Sequence, residues 1–140
     1  MHNTKQILLI EDDCVDVMTV KRALNEHCVE AELVHVVHGE DALEYLRSLT
    51  GDRPCLILLN LHAPKMHGFD FLEVMKADDL LRDIPVVVFS GSHEQEIIDR
   101  AFSLGASDYI IKSTEYTEFS KSFGSIERFW KEASELPVKG

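Results

Sequence analysis

Polar residues stand directly behind four apolar runs of this chain. Glu11, Asp12 and Asp13 follow Ile7-Leu8-Leu9-Ile10, and Asn60 and His62 follow Leu56-Ile57-Leu58-Leu59. Ser90 follows Val86-Val87-Val88-Phe89, and Lys112 follows Tyr109-Ile110-Ile111. A dinucleotide or flavin phosphate site would need glycines or hydroxyls in the first loop, because backbone N–H groups must approach the phosphate. No glycine precedes Gly39. Three carboxylates repel a bare phosphate but suit a hard divalent cation held by one or two acids plus waters, as Mg²⁺ usually is. Such a cation would let a phosphoryl group approach. Helix capping explains Asp13, with Asp16 three residues on, but not acids directly on a strand end. Asp12 is therefore read as a metal ligand. Lys112, near these carboxylates, reads as an ion pair that also grips phosphoryl oxygen. The Ser90 hydroxyl suits a donor to the same group.

The elements that must carry these residues follow from periodicity. The four runs and Leu33 to Val37 read as five strands. Most are continuously apolar, as parallel strands covered on both faces require, and the more polar Leu33-Val34-His35-Val36-Val37 suits an edge. Between them lie helix-period stripes: Val17, Val20, Leu24 and Cys28, then Ala42, Leu43, Leu46 and Leu49. Phe71, Leu72 and Met75, then Ile97, Ile98, Ala101 and Phe102, make two more. Gly39 precedes the second helix and Gly105 follows the fourth. A fifth helix is expected from about Glu115 to Glu135, with a stripe from Tyr116 and Phe119 to Trp130 and Ala133. Five strand–helix units predict an α/β three-layer sandwich, flavodoxin-like, (βα)5, with parallel strand order 2-1-3-4-5. In such sheets ligands sit beyond the carboxyl ends of the strands, where the polar residues fall.

The 140 residues suffice for one domain, and a chain of that size buries roughly 70% of its unfolded surface. Residues 1–140 read as one unit, with a core over about 5–130 and a C-terminal extension and tail over 131–140. Lys and Arg total 14 against 25 Asp and Glu, a formal charge of −11. That surface repels phosphate backbones over about 8 Å, so neither nucleic acid nor an anionic membrane is expected as a partner. The first apolar run is too short for a signal peptide or a membrane span. Cys14, Cys28 and Cys55 show no metal or disulfide spacing and are expected as buried free thiols in a cytoplasmic protein. The seven histidines are scattered and expected at the surface.

The stretches LLIEDD, LILLNLHAPKMHGFDFL, IPVVVFSGS and LGASDYIIKS resemble the receiver domain of two-component response regulators, over about residues 5–130. The resemblance implies a signalling module rather than an enzyme. Its partner would be a sensor histidine kinase or histidine phosphotransfer protein that donates a phosphoryl group to an aspartate ending the third strand. It assigns the acid pair to Glu11 and Asp12, the hydroxyl to Ser90 and the cation to Lys112. Pro64 and Gly68 match the loop after the acceptor, His62 would offer its backbone carbonyl to Mg²⁺, and Tyr109 matches the aromatic that switches with Ser90. The chain looks most like small stand-alone receivers, some of which partner phytochrome-type kinases.

One departure matters for function. The acceptor position holds Asn60, whose amide is uncharged and whose nitrogen lone pair is delocalised, so it cannot attack phosphohistidine as a carboxylate does. The Mg²⁺ site loses one unit of charge, which weakens it, and Lys112 is expected to pair with Asp12. The chain is either a native pseudo-receiver or an Asp-to-Asn variant holding the unphosphorylated state. A second departure is Ser113, where many receivers have proline after a cis peptide. The excess apolar length near Trp130 predicts a homodimer or partner surface on the fourth helix, fifth strand and fifth helix. The rival reading from another class is a flavodoxin-like small-ligand or flavin-binding domain, against which the acidic first loop argues.

Overall fold

Five short strands lie side by side in a fully parallel sheet of order 2-1-3-4-5: β1 (Gln6–Ile10), β2 (Glu32–Val36), β3 (Leu56–Asn60), β4 (Val86–Ser90) and β5 (Asp108–Ile111). The computed structural model describes residues 5–49, 53–62 and 66–135, the last three by backbone alone. The helices are α1 (Cys14–Glu26), α2 (Gly39–Ser48), α3 (Gly68–Ala77), α4 (Gln95–Ser103), α5 (Tyr116–Ser122) and α6 (Gly124–Glu135).

Alternation along the strands separates two cores. Leu8 and Ile10 of β1 and Ile57 and Leu59 of β3 face α2, α3 and α4, where Leu43, Phe71 and Met75 meet them. Ile7, Leu9, Leu56 and Leu58 face α1, α5 and α6, against Val20, Phe119 and Phe123. Successive side chains point to opposite faces, so an unbroken apolar run is what a strand between two helix layers needs. β2 is the half-exposed edge the sequence predicts, with Glu32 and His35 exposed.

Several expectations need correction. The last helix is two. Phe123 ends α5 with its N–H on the Ser120 carbonyl, and Gly124, a poor helix former, opens α6. The aromatic stripe survives the break: Phe119, Phe123 and Ile126 are buried, and Phe129 and Trp130 pack on the same core. Gly39 lies inside α2 as its first residue, with His38 at the N-cap. On α4 only Ala101 is fully buried, Ile98 is half-buried and Phe102 is 44% exposed. Cys14 and Cys28 are exposed, and only Cys55 is partly buried, which pushes its thiol pKa up. Among the six described histidines, His27, His38 and His67 are half-buried. His27 links α1 to Ser120 O (2.6 Å) and Glu127 (3.2 Å), and His67 Nδ1 accepts from Phe69 N–H to cap α3.

Cys28 leaves the α1 stripe because the helix closes before it. Its φ is +57°, its N–H bonds Asn25 O, and the Val29 N–H bonds Leu24 O, burying Val29 against Leu24. This is a Schellman closure with cysteine where glycine is favoured. Gly105 closes α4 in the same way at φ +106°, and a Cβ there would stand 2.7 Å from Lys76 Cε. Cys28→Gly should therefore stabilise the fold by about 0.5–1 kcal/mol, the relief of left-handed strain exceeding glycine's added chain entropy. Urea denaturation checks this, and a lower midpoint would contradict it.

Candidate functional site

Strand register brings the polar residues together. Ile10 pairs beside Leu59, so Glu11 emerges next to Asn60. Asn60 pairs beside Phe89, and Ser90 beside Ile111, so Ser90 and Lys112 emerge along the same rim. Asn60 and Ser90 are the last residues of β3 and β4, while Glu11 and Lys112 directly follow β1 and β5, so all four side chains fall at the carboxyl edge of the sheet.

Glu11 is the centre of the pocket and is wholly buried. Its Oε1 accepts from Lys112 Nζ at 2.8 Å, and its Oε2 from Asn60 Nδ2 at 2.7 Å. Oε2 also accepts from the backbone N–H of Asp12 (3.0 Å) and Asp13 (3.3 Å). Burial raises the Glu11 pKa above the usual carboxylate value, against the opposing pull of Lys112 and the Asp13 N–H. His35 Nε2 lies 2.7 Å from the Glu11 carbonyl oxygen, and the Glu11 N–H bonds Val36 O, so β2 anchors the acidic loop.

Asn60 is 6% exposed, and its amide bridges the two acids. Nδ2 donates to Glu11 and to Asp12 Oδ1 (3.1 Å), while Oδ1 accepts from the His62 N–H at 3.2 Å. Two carboxylates on one side and an N–H on the other fix which way the amide points. Asp13 caps α1, accepting from Val15 and Asp16 N–H at 2.8 and 3.3 Å. Asp16 does not return the bond to Asp13, so no reciprocal capping box forms.

Lys112 does not pair with Asp12, contrary to expectation. Its Nζ donates to Glu11 and to Asp16 Oδ2, both at 2.8 Å, and lies 4.8 Å from the centre of the Phe89 ring. Burial acts to lower the Lys112 pKa, but hydrogen bonds and charge from Asp16 and Glu11 outweigh it and raise the value. Sequence reasoning left Asp16 out of the site. The available signal was direction: side chains in the first helical turn lean back toward the N-terminus, here toward the rim.

Ser90 is fully buried and its Oγ accepts from the Ser92 N–H at 3.1 Å. Tyr109 is half-buried, and its hydroxyl donates to Ser92 O at 3.1 Å. The Lys112 N–H bonds Ser90 O at 2.7 Å, and the Lys112–Ser113 peptide is trans, not the cis form of the resemblance. Gly68 hangs α3 on the end of β3: its N–H bonds Leu61 O at 2.8 Å, and a Cβ would stand 2.9 Å from Leu61 Cα. Pro64 lies outside the described residues.

A buried glutamate with an exposed aspartate beside it, a strand-end amide, a buried hydroxyl and a lysine stand together on one rim of a 2-1-3-4-5 sheet. Residues 7–123 match the family model of the response regulator receiver domain, and the chain belongs to that family. Receiver domains are signalling components of two-component systems, not enzymes. The family match removes the flavin-binding alternative. The chain is 34% identical over 138 residues to the response regulator Rcp1 of Synechocystis sp., covering 96% of this chain and 94% of that one. It is 32% identical over 127 residues to the probable methanogenesis regulatory protein FilR2 of Methanothrix harundinacea, covering 89% and 82%. Its backbone is similar to the phosphorylated cyanobacterial phytochrome response regulator RcpA (TM-score 0.83, 36% identity, 96% and 99% covered). The Mn(2+)-bound form of Rcp1 gives a TM-score of 0.82 at 33% identity, with 96% and 99% covered. Among the described residues no helix is long and apolar enough to cross a membrane.

Proposed function

We propose that this chain is a cytoplasmic pseudo-receiver: a single signalling domain, with its core over about 5–130, that acts by protein contact without accepting a phosphoryl group. The observation that carries this reading is the Asn60 amide, which donates to both Glu11 and Asp12 where a receiver would hold a cation and an acceptor carboxylate. The amide has neither the charge nor the lone pair for attack on phosphohistidine. A sensor histidine kinase or histidine phosphotransfer protein is the partner class, and the likeness to RcpA supports a kinase of the phytochrome type.

The donor set fits a weak Mg²⁺ site. Glu11 and Asp12 supply two carboxylates, and the His62 carbonyl and Asn60 Oδ1 supply neutral oxygens. The metal would offset charge between the acids, but Asn60 must first turn its oxygen inward and give up the His62 N–H. Ser90 and Tyr109 keep the positions of a hydroxyl–aromatic switch, joined here through Ser92. Half-buried Ile98 and exposed Phe102 support α4, β5 and the α5–α6 pair that stands for the expected fifth helix as the homodimer or partner face.

Incubation with acetyl phosphate and Mg²⁺, followed by intact mass, tests the reading. No added phosphate is expected, whereas Asn60→Asp should gain one that base removes. A base-labile phosphate on the native chain would overturn it.

A further inference from the structure

The reading above leaves one lysine without its receiver partner, because position 60 carries no charge. Lys112 nonetheless binds two carboxylates. One of its two carboxylate bonds goes to Asp16, on the third residue of α1, at 2.8 Å. The other goes to Glu11, which already serves Asn60 and two backbone N–H groups. Asp12, nearer in sequence to the acid pair's role, makes its bond to Asn60 instead.

We propose that Asp16 is a positioning residue that supplies the anion missing at position 60, drawing Lys112 Nζ to α1 and closing the pocket without phosphate or metal. The assignment rests on the receiver reading of the pocket and deepens it. The chain of contacts runs Asp16 to Lys112 to Glu11 to Asn60 to Asp12, so each charged group in it has a partner. Its mechanical consequence is a tie between the first turn of α1 and the start of the β5–α5 loop. Lys112 is fixed from behind as well, since its N–H holds Ser90 O. A partner that touches α1 beside Asp16, where Val15 and Met18 stand 65% and 69% exposed, therefore acts directly on the lysine of the pocket. Asp16 thus gives the pocket a route to its surroundings that needs no phosphoryl chemistry.

The test is competitive acetylation of lysines in metal-free buffer, read by peptide mass spectrometry. Lys112 of the native chain should label slowly. In Asp16→Asn its rate should rise about fivefold, the scale expected for loss of one partly exposed ion pair. Asp16→Glu should keep it slow, and Glu40→Gln, which removes equal charge from exposed α2 away from the pocket, should leave it unchanged. Lys21, exposed on α1, is the internal reference. An unchanged Lys112 rate in Asp16→Asn overturns the proposal, and so does a parallel rise at Lys21, which would mean that α1 has merely loosened. A response to Asp16→Asn in a chain whose Asn60→Asp form takes no phosphate would overturn the receiver reading of the pocket and leave the Asp16 assignment standing.

Discussion

Lys112→Met should cost about 3 kcal/mol of stability near pH 7, among the largest effects of any single change at the rim. The variant leaves Glu11 buried with no cation, and above its folded pKa that is the costly half of a broken ion pair. The loss should depend on pH in a definite direction. The Glu11 pKa is raised in the folded chain from a value of 4.5, so between the two values the folded state binds a proton that the unfolded state does not. The penalty of the buried charge is therefore full above the folded pKa and relieved as pH falls through it toward 4.5. Removing Lys112 also removes an opposing pull, so the folded pKa should climb further and widen that window. Urea denaturation of both chains at about pH 7 and about pH 5 reads the difference. It should shrink at the lower pH, and an equal loss at both would show that Glu11 is not the group left stranded. In the native chain the Lys112 contribution has the opposite boundary. Its folded pKa lies above 10.5, so that stability is present below 10.5 and is lost only as pH rises through the folded value.

The sheet was legible because its signals are local. Ile7 to Ile10 and Leu56 to Leu59 are apolar without a break, short, and bounded by polar residues, as strands between two helix layers are. The rim was legible for the same reason: Glu11, Asn60, Ser90 and Lys112 interrupt those runs where the strands stop. What was not legible was which acid meets which donor. That choice depends on side-chain direction over distances set by the fold, and α1 swings Asp16 back over the rim while Asp12 turns to Asn60. Helix ends failed where a residue acts against its type. Cysteine at the left-handed position of Cys28 gives no glycine signal, and an aromatic stripe that runs unbroken through Phe123 hides the break before Gly124. The peptide before Ser113 is trans, the default where no proline follows; only the resemblance raised the cis form.

Asn60→Asp should turn a pocket with only a weak metal site into one that depends on the metal. The native amide places two N–H bonds on Glu11 and Asp12, at 2.7 and 3.1 Å. The substitution removes both and aims a third carboxylate at the same two acids. Without a divalent ion the variant should lose about 3 kcal/mol, the sum of lost bonds to charged acceptors and uncompensated burial. Mg²⁺ answers that defect directly, since three carboxylates and a backbone carbonyl outbid two for a hard cation. At a metal concentration about a hundredfold above the dissociation constant, binding restores about 2.7 kcal/mol, so the variant's Tm should climb with Mg²⁺ while the native Tm moves little. Thermal melts across a Mg²⁺ series make the comparison. If the native chain were stabilised as strongly as the variant, the amide would not be standing in for the cation. The expected divergence follows from one atom exchange: nitrogen in place of oxygen satisfies two acids from within, and the same exchange removes the nucleophile that would have made the satisfied pocket reactive.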